Sequence, residues 1–254
     1  MARPYLLAET NYRNVLNTNY RLAVLPWGAT EAHNYHLPYA TDNYQVEHVA
    51  HEAARQAWAA GSRVLVLPNI PFGINTGQLD VPLCMNLNPT TQLAILKDTV
   101  DSLQRAEVDK LLILNGHGGN HFKNMVRELS FHFPKFFVCW ANWFQAVDWR
   151  HYFDEPGDHA GEMETSAILH IAPELVRPLS EAGNGAAKRF KIKGFREGWV
   201  SAQRQWTQVT EDTGVGNPQA ATAEKGATYL RACAQKLAEL MTDLANTSNA
   251  DLYE

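Results

Sequence analysis

Leu22-Ala-Val-Leu-Pro-Trp27-Gly28-Ala-Thr-Glu31-Ala-His33-Asn-Tyr-His36-Leu-Pro-Tyr-Ala-Thr-Asp42 decides how this chain folds. Leu22 to Leu25 is a short apolar run that reads as a buried strand, ending in a turn at Pro26 to Gly28. The polar stretch that follows reads as a loop. From Thr41, Val46, Val49, Ala50, Ala53, Ala54 and Ala57 recur at helical spacing, and Gly61 closes the helix. Strand, loop, helix is half of a βαβ unit, and the pattern repeats. Arg63 to Pro68 reads as a strand, Pro89 to about Ala106 as a helix and Lys110 to Asn115 as a strand. His121 to Phe133 reads as a helix, Phe136 to Trp140 as a strand and Gly161 to Ile171 as a helix stopped by Pro173. Residues 180 to 222 are loop-rich, with one or two strands expected around Gly194 to Val200. Ala220 to Ala245 is a long amphipathic helix. This order predicts an α/β fold in three layers, a mostly parallel sheet flanked by helices on both faces. It is read as a single domain over residues 1–254.

Composition narrows the function classes. With 254 residues, 45% hydrophobic and 19% charged, the chain has enough apolar surface for one substantial core without a disulfide or structural metal. The net charge of -5 argues against a nucleic-acid partner, and the cluster Lys188-Arg189-Phe190-Lys191-Ile192-Lys193 reads as a solvated loop or strand edge. Cys84, Cys139 and Cys233 are odd in number and lack CxxC spacing, so they read as core residues of a protein from a reducing compartment. The N-terminal stretch has no apolar core of signal-peptide length, and no run approaches the roughly 18 apolar residues of a membrane span. The expectation is a cytoplasmic protein without a membrane partner.

In open parallel sheets, ligands sit beyond the carboxyl ends of the strands. Two polar clusters fall there. Glu31, His33 and Asp42 follow the first strand, and His117 lies in Asn115-Gly-His-Gly-Gly-Asn120 after the third. Carboxylate and imidazole suit Zn²⁺, Mn²⁺ or Fe²⁺. Glu31 and His33, two apart on an extended segment, share a face. Asp42 has two oxygens and could bridge two ions. The alternatives are a hydrogen-bonded turn for Glu31 and His33, a capping role for Asp42, and an anion cradle for the glycine-rich turn. His36 reads as structural. The third cluster is Asp158-His159-Ala-Gly161-Glu162-Met-Glu164-Thr-Ser166, at a helix start, where His159 and Glu162 can face one way and Glu164 points elsewhere unless the first turn is irregular. The Pro-, Gly- and Asn-rich loop 69–90 is long enough to have a working role. No G-x-S-x-G or H-E-x-x-H pattern is present.

Three of these stretches together resemble the creatininase (creatinine amidohydrolase) family. Leu25 to Asp42 is similar to the family's LPxGSxEQHGPHLPLxTD, and Asn115-Gly-His117-Gly-Gly-Asn120 and His159-Ala-Gly-Glu162-Met-Glu164-Thr-Ser166 follow in order. Gly216-Asn-Pro218 with Ala221 to Gly226 is a weaker fourth match. The resemblance implies a layered α/β amidohydrolase with two divalent metal ions per chain, Zn²⁺ first and Mn²⁺ or Fe²⁺ as alternatives, in a homo-oligomer, commonly a hexamer. By resemblance Glu31, Asp42 and His117 hold one ion, and His33, Asp42 and a further carboxylate hold the other. In creatininase that carboxylate follows the motif histidine by two positions, where this chain has Gly119. Glu162 is assigned in its place, with Glu164 the open alternative. His159 and Glu162 are the expected catalytic residues, His159 passing a proton to the leaving amine. Gly119 points away from true creatininase, whereas Asn34-Tyr35 in place of the family's Gly-Pro is expected to alter the pocket wall rather than the metals. The expected activity is hydrolysis of a non-peptide or cyclic amide C–N bond in a small-molecule substrate, by a metal-held hydroxide. Formamide hydrolysis and peptide trimming are the alternatives within the family. A non-catalytic metal- or anion-binding protein is the alternative outside it.

Overall fold

The buried apolar runs become four parallel strands. The computed structural model describes residues 2–254, so Met1, the start of the stretch read for a leader, lies outside them. A short helix α1 (Tyr12–Leu16) leads into β1 (Leu22–Trp27), α2 (Thr41–Ala59), β2 (Val64–Val66), α3 (Pro89–Arg105) and β3 (Lys110–Asn115). Then come α4 (Lys123–His132), β4 (Phe137–Asn142), α5 (Glu162–Ile171), α6 (Lys193–Arg196), α7 (Trp206–Val209) and α8 (Ala223–Asn246). The sheet order is β2-β1-β3-β4. β1 and β3 are buried along their whole length, as central parallel strands covered on both faces must be.

Alternation along the strands sorts the core into two layers. Ala23, Leu25, Trp27, Leu65, Leu111 and Ile113 face one way, onto Leu96 and Val100 of α3 and Met125 and Leu129 of α4. Leu22, Val24, Val64, Val66, Leu112 and Leu114 face the other, onto Val46, Val49 and Ala53 of α2 and Tyr229, Leu230 and Cys233 of α8. Each fully buried Leu, Val, Ile or Met among them contributes about 1.5–3 kcal/mol by leaving water, so the sheet is held from both sides.

Two local results differ from the sequence reading. β1 does not stop at Leu25 but runs through Pro26 to Trp27. β2 pairs with β1 only as far as Val24, so no strand there requires the N–H that Pro26 lacks. The strands expected around Gly194 to Val200 are absent. Lys193–Arg196 is a short helix, and the chain turns at Gly198, whose φ is +82°. The segment is largely exposed and joins no strand of the sheet, so the backbone hydrogen bonds a strand needs are not supplied there.

The fold positions the site through two junctions. Trp27 pairs with Asn115, so the loops after β1 and β3 leave the sheet side by side. α5 and α8 approach closely at Gly226, where any Cβ would run into the Ser166 carbonyl. Thr222 caps α8, its hydroxyl accepting from the Lys225 N–H at 3.2 Å. No helix among the described residues is long and apolar enough to cross a membrane.

Candidate metal centre

Asn115 and Asn120 shape the turn after β3. The Asn115 amide donates to the His117 carbonyl at 2.8 Å and accepts from the His117 N–H at 3.2 Å, and Asn120 donates to Asn115 at 3.0 Å. This delivers the His117 ring to the loop after β1. His117 Nδ1 lies 2.9 Å from Glu31 Oε1 and 3.0 Å from Asp42 Oδ2. On the other side of Asp42, Oδ1 lies 3.2 Å from His33 Nε2, which is 3.8 Å from Glu164 Oε1. The two oxygens of Asp42 therefore serve two separate clusters. Asp42 sits in the first turn of α2 but caps nothing: the N-cap is Ala40, with no side-chain capping bond.

Among the described residues, three triads bring their ligand atoms within 4.8 Å of one another: Glu31, Asp42 and His117; His33, Asp42 and Glu164; and Glu31, His33 and His159. All are buried. The hydrogen bonds of the three histidines define their lone pairs. His117 Nε2 faces the Ile74 carbonyl at 3.1 Å, His33 Nδ1 the Glu31 carbonyl at 3.1 Å, and His159 Nε2 the Ala32 carbonyl at 2.8 Å. A carbonyl can only accept, so the nitrogen facing it carries the proton. In a neutral ring the other nitrogen would then turn a lone pair toward the carboxylates. Lone pairs facing anions repel unless a cation stands between them, and Asp42 Oδ2 is buried without a hydrogen bond of good geometry. The nitrogen and oxygen donor set fits a divalent ion in each of the first two triads.

Without an ion the imidazoles themselves supply the cation. Burial penalises their charge, yet Asp42 and Glu164 hold His33 well above the ordinary histidine range, and Glu31 and Asp42 do the same for His117. Burial likewise opposes the carboxylates, but His117 and His159 keep Glu31 below its usual range, and His33 and His117 lower Asp42. His36 is different: burial, aided by His33, pushes it down to about 4, and its Nε2 pairs with the Thr165 hydroxyl at 2.8 Å. It supports α5 and takes no part in the triads.

Glu162 is not in any triad. Its carboxylate accepts from the backbone N–H groups of Asp154 and Glu155 and from Lys225. The shared face expected for His159 and Glu162 requires a helix, and the helix begins only at Glu162. His159 precedes it across Ala160, whose φ is +51°, so helical spacing does not apply and Glu164 turns to His33 instead. Gly119 has no room for the missing carboxylate, since a Cβ there would strike the His117 ring and the Ile74 carbonyl.

Several contributing residues carry no motif signal. Gln78 donates to Glu31 Oε2, and Cys84 links Gln78 to the Ala32 N–H, with 3.3 Å on each side. Cys84 is thus more than core filling. Only the length of loop 69–90 hinted at this. Trp206 packs on His159 at 4.7 Å between ring centroids, and His33 lies against it at 4.1 Å. The centre opens into a cavity of about 500 Å³ whose wall includes Phe144, Trp149, Met163, Arg204 and Trp206.

The family model described as "Creatininase: Creatinine amidohydrolase" matches residues 7–241. A mycofactocin precursor peptide peptidase of Mycobacterium tuberculosis (strain CDC 1551 / Oshkosh) is 29% identical over 229 residues, which are 86% of this chain and 85% of that protein. The crystal structure of a Bacteroides fragilis NCTC 9343 protein, provisionally named a creatinine amidohydrolase, superposes with a TM-score of 0.93 at 45% identity, covering 100% of both chains. A creatininase structure described as the Mn form gives a TM-score of 0.78 at 21% identity over 96% of this chain and 100% of that one, a likeness of fold alone. With a parallel sheet of this order, the clustered imidazoles and carboxylates at its strand ends, and a family match over nearly its whole length, the chain belongs to the creatininase family.

Proposed function

We propose that this chain hydrolyses an amide C–N bond at a centre of two divalent ions, in a peptide-like substrate larger than a single small ring. The observation that carries the reading is the division of Asp42 between two buried triads. Glu31, Asp42 and His117 would hold one ion, and His33, Asp42 and Glu164 the other, with Zn²⁺ or Mn²⁺ suited to this donor set. Ions held there would supply Lewis-acid polarisation of an amide carbonyl and a lowered pKa for water.

The remaining work falls to the protein. His159, with Nε2–H fixed on the Ala32 carbonyl, keeps Nδ1 free beside Glu31 at 3.8 Å. Nδ1 would take a proton from the attacking water and give it to the leaving amide nitrogen. The rings of Trp206 and His33 against His159 limit its rotation, which keeps that nitrogen in reach. Gln78 orients Glu31 by its hydrogen bond.

The cavity supports the substrate class. At about 500 Å³ it falls within the usual range for ligands well above one small ring, roughly 300–1,000 Å³. Its size gives no support to formamide hydrolysis. The relatives named as peptide peptidases point the same way. A second reading, cyclic amide hydrolysis, is favoured by the 45% identical Bacteroides neighbour and its name. The deciding assay offers the Zn²⁺- or Mn²⁺-loaded protein short peptides, creatinine and simple lactams, with products read by mass spectrometry. Release of terminal residues from peptides supports the first reading. Turnover of lactams or creatinine alone transfers the assignment to the second.

A further inference from the structure

Glu162 is a buried carboxylate, 1% exposed, that the triads do not use. A carboxylate so placed is tolerated only when its oxygens are fully engaged. Oε2 accepts from the backbone N–H groups of Asp154 at 2.8 Å and Glu155 at 2.7 Å. Oε1 accepts from Lys225 Nζ at 2.5 Å, and the same ammonium donates to Asp154 Oδ2 at 2.8 Å and to the Ala220 carbonyl at 3.1 Å. Glu162 opens α5 and Lys225 lies in the first turn of α8. Their meeting follows from the close approach of the two helices at Gly226 and the Thr222 cap.

What they hold is the segment that ends in His159. Its far end is anchored separately: Asp158 and His159 donate to the Val215 carbonyl at 2.9 and 3.2 Å, and Ala160 donates to Glu164 Oε2 at 2.5 Å. Along this stretch, Glu155, Gly157 and Asp158 form part of the cavity wall. The segment is irregular, so no helix or sheet ladder holds it. Its near anchor is the charge-assisted set on Glu162, about twice as strong as neutral hydrogen bonds.

We infer that Glu162 and Lys225 are a positioning pair, fixing the 154–158 wall and through it the stance of His159 at the centre. The inference rests on the reading of that centre as an amide hydrolase. The test uses the full chain loaded with Zn²⁺, as Glu162→Gln, Lys225→Met and Lys225→Arg. Metal content should equal that of the wild type in all three. On the amide that the wild type turns over best, Glu162→Gln and Lys225→Met should lower kcat about ten- to a hundredfold, as a misplaced proton carrier does. KM should move less than about threefold. Lys225→Arg, which keeps the cation, should recover most of kcat. Amide hydrogen exchange at residues 154 and 155 should accelerate in the first two variants and not in the third. Loss of an ion from Glu162→Gln would make Glu162 a ligand and overturn the inference. Unchanged kcat with unchanged exchange would overturn it equally, as would Lys225→Arg as impaired as Lys225→Met. The exchange measurement needs no turnover. If no amide is hydrolysed while exchange responds as described, the reading of the centre fails and the anchoring by Glu162 and Lys225 stands.

Discussion

The loop Glu31 to Asp42 and the segment Asp154 to Glu164 both bring carboxylates and histidines to one centre, by opposite means. In the first, the ligand groups hang from the end of a fully buried strand and the first turn of a core helix, and His33 is locked by a backbone carbonyl. The carboxylates there are left free to face imidazoles. In the second, the backbone is irregular and the carboxylates are the fasteners: Glu162 holds the N–H groups of Asp154 and Glu155, and Glu164 holds that of Ala160 with one oxygen while turning the other to His33. The same residue type is a ligand candidate where the fold supplies rigidity, and a structural tie where the fold does not. Disturbing the first region should cost ions. Disturbing the second should cost alignment, with Glu164 sensitive in both ways.

The strongest test of this contrast is Asp42→Ala. It should abolish binding of both ions and lower turnover by at least about 10³-fold, near 4 kcal/mol of barrier. Elemental analysis beside the amidase assay checks it, and an unchanged metal content would remove Asp42 from the bridging position. Next in size is the pair Glu164→Gln and Glu162→Gln. The first should lose one ion and about 10²-fold in kcat, while the second keeps both ions. Equal metal content in the two would erase the distinction between ligand and fastener. Gln78→Leu should be milder, weakening metal affinity about 10- to 100-fold through Glu31 alone, as read by competition with a chelating dye.

The smallest effect expected is on stability against pH. His33 and His117 are raised by their carboxylates, after burial has opposed them. Groups raised in the folded state stabilise it fully below the unfolded histidine value of 6.5, and that contribution disappears as pH climbs through the folded values. The metal-free chain should therefore melt at lower temperature as pH rises above this range. Metal binding must displace those protons, so affinity and the melting temperature of the loaded chain should rise with pH over the same interval. Melting curves with and without Zn²⁺ that run parallel across pH would break the argument that imidazolium stands where the ions go.

Much of the framework was legible from residue order. The helical spacing from Val46 to Ala57 and the apolar runs 22–25 and 110–115 gave the layers, because period and hydrophobicity are local properties. Glu31, His33, Asp42 and His117 were singled out since they follow strand ends, and the structure brings them together. Helical spacing places Glu162 beside His159, but the stretch is not yet helical there. Ala160 at positive φ is the reason, and nothing in its identity announces it. Gln78, Cys84 and Trp206 carry no motif of their own because their partners are distant in sequence, Glu31 lying 47 residues from Gln78, and only the length of loop 69–90 points toward the first two.

The sequence by itself determined the alternation of strands and helices, the family, and the candidates Glu31, His33, Asp42 and His117, since each depends on residue type and short-range order. Tertiary structure alone decided which carboxylate faces His33, which ring nitrogen is left with its lone pair, and why Gly119 has no room for a side chain. Those outcomes depend on carbonyls, N–H groups and neighbouring rings supplied by remote segments, which meet only when the two helical layers close on the sheet.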